Sequence, residues 1–306
     1  MSALLRPAAG PADAAAFNAL RRVVTPYQVF SAERILHVWE VTPERAYAKV
    51  LIAEVDGQVV GAGRASFNTW TTEQGAANFF IMVHPDHRRQ GIGGRLYATL
   101  DAHLAEHGAQ KTQVWATEDE DVAGFLERRG FERTGELRYS KLDLTDVSNL
   151  PPVPELPDGV VLVSAREAGP EQLYAVDAAT VVDEPGETAM DAVPYDDWYA
   201  EIWQNPAVDL DLSVVALADG VAAAYTLVEV DRSSGRMWSG GTGTLRSHRG
   251  RGLAKLAKSD AVRRAAAAGV TAAYTSNDEV NAPMLAVNEW LGYRPAAAQF
   301  SYLRTA

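Results

Sequence analysis

Four landmarks of this 306-residue chain occur twice, in the same order and at a nearly constant separation. Ala9-Gly10-Pro11 returns as Ala168-Gly169-Pro170, and Asp56-Gly57 as Asp219-Gly220. His87-Arg88-Arg89-Gln90-Gly91-Ile92-Gly93 returns as His248-Arg249-Gly250-Arg251-Gly252-Leu253-Ala254, and Arg129-Gly130-Phe131 as Leu291-Gly292-Tyr293. The separations are 159, 163, 161 and 162 residues. A single match arises easily by chance; four in order mark a tandem duplication, so whatever fold the chain adopts is built twice. Its length suits two domains of the usual ~100–200 residues. The four prolines of Val147–Pro157 remove amide donors and favour extended backbone, the signature of a semi-rigid linker. The expected domains are therefore 1–146 and 158–306, joined by 147–157.

Each half follows one pattern: a strand, one or two helices, an antiparallel hairpin, a strand, a glycine-rich turn opening a helix, a strand, a helix and a last strand. The Asp-Gly pairs sit between apolar runs, as tight hairpin turns do. Leu96, Leu100 and Leu104 recur every four residues, the spacing of one helix face, and Leu253, Leu256, Ala257 and Val262 do the same in the second half. Leading antiparallel strands with interspersed helices predict an α+β fold rather than a doubly wound sheet.

The chemistry is carried by the strand-to-helix turn. A strand over Asn78–Val83 exits through His84-Pro85-Asp86-His87 into Arg88-Arg89-Gln90-Gly91-Ile92-Gly93 and a helix. Unpaired N–H groups and the dipole at a helix start form an anion site, and glycines let a bulky anion approach the main chain. An arginine adds charge suited to a pyrophosphate. Neither the dinucleotide fingerprint G-x-G-x-x-G nor the P-loop G-x-x-x-x-G-K-[ST] is present at this place.

The spacing Arg88-x-x-Gly91-x-Gly93, repeated as Arg249-x-x-Gly252-x-Ala254, resembles the signature of the GNAT acetyltransferase superfamily in its tandem, two-domain form. The strand and helix after each motif match as well, ending in Arg129-Gly130-Phe131 and Leu291-Gly292-Tyr293. The resemblance implies two consecutive GNAT-like domains, each a mixed, mostly antiparallel sheet flanked by helices, with two central strands that splay apart. It implies acetyl-CoA as cosubstrate, its pyrophosphate on the turns and its pantetheine arm along the freed strand edge. The implied coenzyme residues are Met82, Val83, Arg88, Arg89, Gln90, Gly91, Ile92, Gly93 and Gly94 in the first copy. In the second they are Thr244, Leu245, Arg249, Gly250, Arg251, Gly252, Leu253, Ala254 and Asn281.

The sequence also departs from the family. Where many relatives place an acidic tyrosine four residues before the last glycine, this chain has Leu126 and Asn288. Neither motif strand holds the glutamate used elsewhere as base, and Asp119 stands where the second copy has Asn281. Asn288 and Thr244 are the remaining candidates for a part in catalysis. Direct transfer to a neutral amine needs mainly orientation and carbonyl polarisation. Two classes of function fit: an N-acetyltransferase acting on a primary amine, or an acyl-CoA-binding scaffold with one or both copies inactive.

Composition narrows the field. With no cysteine, there is no disulfide, no thiolate metal site and no acyl-cysteine intermediate. A net charge of −12 argues against nucleic acid as partner. No long apolar run or leader-like start is seen, so a cytoplasmic protein without membrane contact is expected. Residues 167–231 hold 15 acidic side chains and no Lys, Arg or His, which is either a solubilising surface or a field for a cationic small-molecule amine. His103 and His107 stand at i, i+4, but with no third ligand apparent they read as solvated, and no metal is expected. His84 and His87 read as packing groups beside the coenzyme. Trp198, Tyr199 and Trp203 read first as core and second as a wall of the acceptor pocket. The oligomeric state, monomer or homodimer, is open.

Overall fold

The computed structural model describes residues 3–306. They form two compact units: 3–137 with Ala298–Ala306, and Arg138–Ala297. The first unit runs β1 (Leu4–Pro7), α1 (Gly10–Val24), α2 (Ala32–Val41), β2 (Lys49–Val55), β3 (Gln58–Phe67), β4 (Ala76–Val83), α3 (Ile92–Glu106), β5 (Lys111–Thr117), α4 (Glu120–Glu127) and the start of β6 (Glu132–Asp143). The second runs β7 (Val160–Ser164), α5 (Ala165–Ala168), α6 (Pro170–Thr180), α7 (Tyr195–Trp198), β8 (Val214–Ala218), β9 (Val221–Asp231), β10 (Arg236–Thr244), α8 (Leu253–Ala267), β11 (Ala272–Asp278), α9 (Ala282–Leu291) and the start of β12 (Arg294–Thr305).

The predicted hairpins form at both Asp-Gly pairs. Asp56 and Gly57 have φ of 52° and 78°, Asp219 and Gly220 of 51° and 83°, the double positive φ of a type I′ turn. In the first unit β1, β2, β3 and β4 pair antiparallel in sequence order. β4 then runs parallel to β5, but only from Ala76–Lys111 to Asn78–Gln113, after which the strands part. In the second unit β7, β8, β9 and β10 repeat the antiparallel series. There β10 pairs with β11 from Arg236–Ala272 to Trp238–Tyr274 and then parts from it.

Two-residue alternation gives the strands of the first unit two buried faces. Leu51 and Ala53 join Leu96, Leu100 and Leu104 of α3 in one core cluster, while Ile52 joins Phe17 and Ile35 of α1 and α2 in another. All three helix leucines are fully buried, so truncating Leu100 to alanine would cost about 2–5 kcal/mol. In the second unit Met237, Val262 and Leu291 share a cluster, and Leu253 and Leu256 pack with Ala216 and Ala224 in another.

Compactness divides the chain at other points than the proline-rich segment does. β6 begins in the first unit and continues into the second beyond Leu137, while β12 ends in the first. There its last residues pair with β5, from Gln299–Thr117 to Thr305–Lys111, and Phe300 and Tyr302 enter the core of α3. Partner choice between strands of the same pattern is set by tertiary packing, and no local sequence signal carries it.

Candidate active site

Both motif turns have the same local construction. Gly91 and Gly252 are the N-caps of α3 and α8, with φ of 80° and 76°. A side chain there meets no atom within 4 Å, so only the left-handed backbone, not crowding, demands glycine. The preceding arginines anchor alike: Arg88 Nε donates to the Val83 carbonyl at 3.3 Å and Arg249 Nε to the Thr244 carbonyl at 3.2 Å. Each guanidinium also meets a carboxylate, but a different one. Arg88 reaches Asp119, the N-cap of α4, at 3.4 Å, and Arg89 reaches Asp121 at 2.7 Å. Arg249 and Arg246 converge on Asp183, whose carboxyl is held down at about 2 by these two partners. At the helix start where Asp119 stands in the first unit, the second has the neutral Asn281, which caps α9 through Met284 N–H at 3.3 Å.

A cleft of about 840 Å³ opens in the second unit from this turn to the place where β10 and β11 part. Thr244, Arg249, Gly250, Gly252, Leu253, Ala254 and Asn281 line it, so the structure gathers most of the second copy's expected coenzyme residues. Leu253 is buried in the core and offers mainly backbone. Asn288 does not line the cleft; its amide donates to Asn277, a lining residue, at 2.6 Å. Thr244 sits at the turn rather than at the parting of the strands. In the first copy the side chains of Met82 and Ile92 are core, which leaves only their backbone for a ligand.

The floor and rim of the cleft hold ionisable groups that sequence reasoning passed over. Lys258 of α8 is 1% exposed and donates to Ser239 Oγ at 2.7 Å. Burial pushes its ammonium down to about 7. On β9, Tyr225 donates to Asp177 Oδ1 at 2.5 Å, and Trp198 Nε1 donates to Asp177 Oδ2 at 2.6 Å. Burial raises both the Tyr225 phenol and the Asp177 carboxyl. Trp198 is therefore core, separated from the cleft by Asp177 and the lining Tyr225. Glu184 lies on the lining and is exposed. The signal for Lys258 was in the repeat: it lies six residues after Gly252, where the first copy has Tyr97 six after Gly91.

The acidic tract is less exposed as charge than its sequence suggests. Asp183, Asp209 and Asp211 are paired with Arg246 and Arg249, Arg232, and Arg166, all outside the tract. Glu167 forms a capping box with Ser164. Elsewhere, Glu106 joins His103 and His107, one possible ligand atom of each lying within 4.8 Å of the others, a third group the sequence had not revealed. Each ring nitrogen in contact serves a backbone carbonyl: His103 Nε2 that of Tyr47 at 2.7 Å, His107 Nδ1 that of His103 at 2.8 Å. His84 accepts from Asp86 N–H at 3.3 Å and packs edge-on to His87. Among the described residues no helix is long and apolar enough to cross a membrane.

Known proteins share this plan. The model of the acetyltransferase (GNAT) family matches residues 17–131. A mycothiol acetyltransferase of Clavibacter sepedonicus is 30% identical over 233 residues, 73% of this chain and 71% of that protein. One from Clavibacter michiganensis subsp. michiganensis is 28% identical over 84% of this chain and 80% of its own length. Among solved structures, a tandem GNAT protein from the clavulanic acid biosynthesis pathway superposes with TM-score 0.75 at 22% identity, covering 99% of this chain and 98% of that one. A GCN5-related N-acetyltransferase from Sphaerobacter thermophilus gives 0.73 at 18% identity, covering 99% and 95%.

Proposed function

Because the chain belongs to the GNAT acetyltransferase family, we propose that its second unit moves an acetyl group from acetyl-CoA to a primary amine. The carrying observation is the cleft that joins the α8 turn to the parted strands. In this reading the pyrophosphate lies on the free N–H groups at Gly252–Ala254 and on Arg249, in place of Asp183. The pantetheine arm follows the edge that β10 presents once β11 has left it. β10 carries a bulge between Ser239 and Thr242, which takes backbone groups of Gly240 and Gly241 out of the ladder with β9. An N–H freed there is suited to polarise a thioester carbonyl, and orientation plus that polarisation supplies most of the rate.

The acceptor in this reading is a small cationic amine. Glu184 on the rim and the acid left after internal pairing favour a positive approach, and relatives named mycothiol acetyltransferases support a small-molecule acceptor. In the first unit the anionic Asp119 caps the helix beside the turn where the second unit has the neutral Asn281, which favours a supporting rather than a transferring role there. The test is thiol release from acetyl-CoA with cationic, neutral and anionic amines at two ionic strengths. A cationic acceptor should lead, with kcat/KM falling several-fold as the Debye length shrinks toward ~8 Å. A neutral or anionic acceptor that leads at low salt contradicts the steering.

A further inference from the structure

Directly past the last β10–β11 pair, at the floor of the cleft, lies a buried amine without a counter-ion. Lys258 donates to the Ser239 hydroxyl, and among the described residues no carboxylate pairs with it. Ser239 is itself 3% exposed, and its carbonyl accepts from the Thr275 hydroxyl of β11 at 3.0 Å. The Tyr293 ring, just before β12, stands 5.9 Å from the lysine nitrogen. Across the cleft are Tyr225, bonded to Asp177, and Glu184 on the rim. On its own helix Lys255 turns to the Trp290 ring at 3.8 Å, and Asp260 pairs with Arg264 at 2.7 Å. Burial raises both phenols, so neither offers Lys258 a phenolate as counter-ion.

The fold does not require this group. In the first unit the same three positions are Phe79, Tyr97 and Phe131, packed edge-on at 5.6 and 5.8 Å. Burying an amine there costs stability that the aromatic version does not lose. Lys258 and Ser239 both line the cleft, so the cost falls where a substrate would sit.

We propose that Ser239 and Lys258 form the proton relay of acetyl transfer, Ser239 touching the acceptor nitrogen and Lys258 acting through Ser239. The proposal rests on the acetyltransferase reading above. As the amine nitrogen attacks the thioester carbonyl carbon, the C–N bond forms and the nitrogen's proton passes to Ser239 Oγ, whose own proton passes to neutral Lys258. The C–S bond breaks with its electron pair on sulfur. The proton held by Lys258 returns through Ser239 or water to the thiolate. Amine and thioester have then become amide and thiol, and the lysine is neutral again. Its value near 7 suits a group that must take and give one proton in each turnover.

The test uses the full chain as wild type, Lys258→Met and Ser239→Ala, with acetyl-CoA calorimetry and thiol release to spermidine and n-propylamine across pH. The ratio of wild-type to variant kcat cancels the amine's own titration. For Lys258→Met it should rise from a few-fold well below pH 7 to about 100–10,000-fold well above it, with acetyl-CoA affinity within about threefold of wild type. Ser239→Ala, which removes only a hydroxyl, should show the same rise, and it carries the test if the lysine variant does not fold. A ratio that stays flat through pH 7, or a wild type that binds acetyl-CoA and releases no thiol to either amine, overturns the relay. Failure of the wild type to bind acetyl-CoA instead overturns the reading on which the relay rests.

Discussion

In the first unit, the residue after the last β4–β5 pair is Phe79, and Tyr97 and Phe131 close on it. In the second, the residue after the last β10–β11 pair is Ser239, and Lys258 and Tyr293 stand in those places. The strands differ too. β3 and β4 keep one register from Phe67–Ala77 to Gly61–Val83, whereas β9 and β10 slip by a bulge between Ser239 and Thr242. The motif turn, the helix N-cap and the strand-end carbonyl that takes the arginine are common to both. A repeated fold can thus keep its anion turn while the apex of its parted strands is either filled with rings or furnished with polar groups. In the proposed reading it is the apex that separates the transferring unit from the one built to pack.

Three changes break or sharpen this contrast. The largest effect is expected from Ser239→Phe, which gives the second unit the first unit's apex. Thiol release should fall about 100-fold or more, because a reacting group displaced by an ångström loses that much. Full activity in this variant would mean that the apex is not where transfer occurs.

The next concerns what the polar apex costs. The folded value of Lys258, about 7, lies below the ~10.4 of an unfolded lysine. Between these two values the unfolded chain binds a proton that the native chain does not, so stability rises with pH across that window. Lys258→Met should remove that slope and raise stability at pH 7 on the order of 2 kcal/mol, by denaturant titration, while activity drops. A destabilised variant with an unchanged pH slope would show that the amine is held by contacts other than those described.

The smallest concerns the turns. Asp183, its carboxyl held down at about 2, engages both Arg246 and Arg249, so in the proposed reading a pyrophosphate displaces it. Asp183→Asn should tighten acetyl-CoA binding about 3–10-fold at low salt, with a smaller gain at high salt. Weaker binding would make Asp183 a support for Arg249 rather than its competitor.

Much of this was legible in the sequence because the informative chemistry is local. Two positive φ values at Asp-Gly and a left-handed cap before a leucine-spaced helix are written in adjacent residues, and the repeat confirmed each by a second instance. Three features were not legible. The routes of β6 and β12 depend on which strand edge each finds, and alternation alone does not select it. The acidic tract looked uncompensated because its arginine partners lie before or after it in the chain. Lys258 carried no local sign of burial, since that burial comes from strands that approach it from elsewhere in the fold. Only its alignment with Tyr97 pointed inward.

The most direct test of the second unit as the transferring one compares Gly91→Glu with Gly252→Glu. Each puts a side chain and a negative charge on one anion turn at a backbone conformation that favours glycine. Thiol release and acetyl-CoA calorimetry are measured on both. Gly252→Glu should lose acetyl-CoA affinity by about 100-fold or more and turnover with it, while Gly91→Glu keeps at least about half of the wild-type rate. Turnover that survives in Gly252→Glu and disappears in Gly91→Glu would move the chemistry to the first unit and contradict the account.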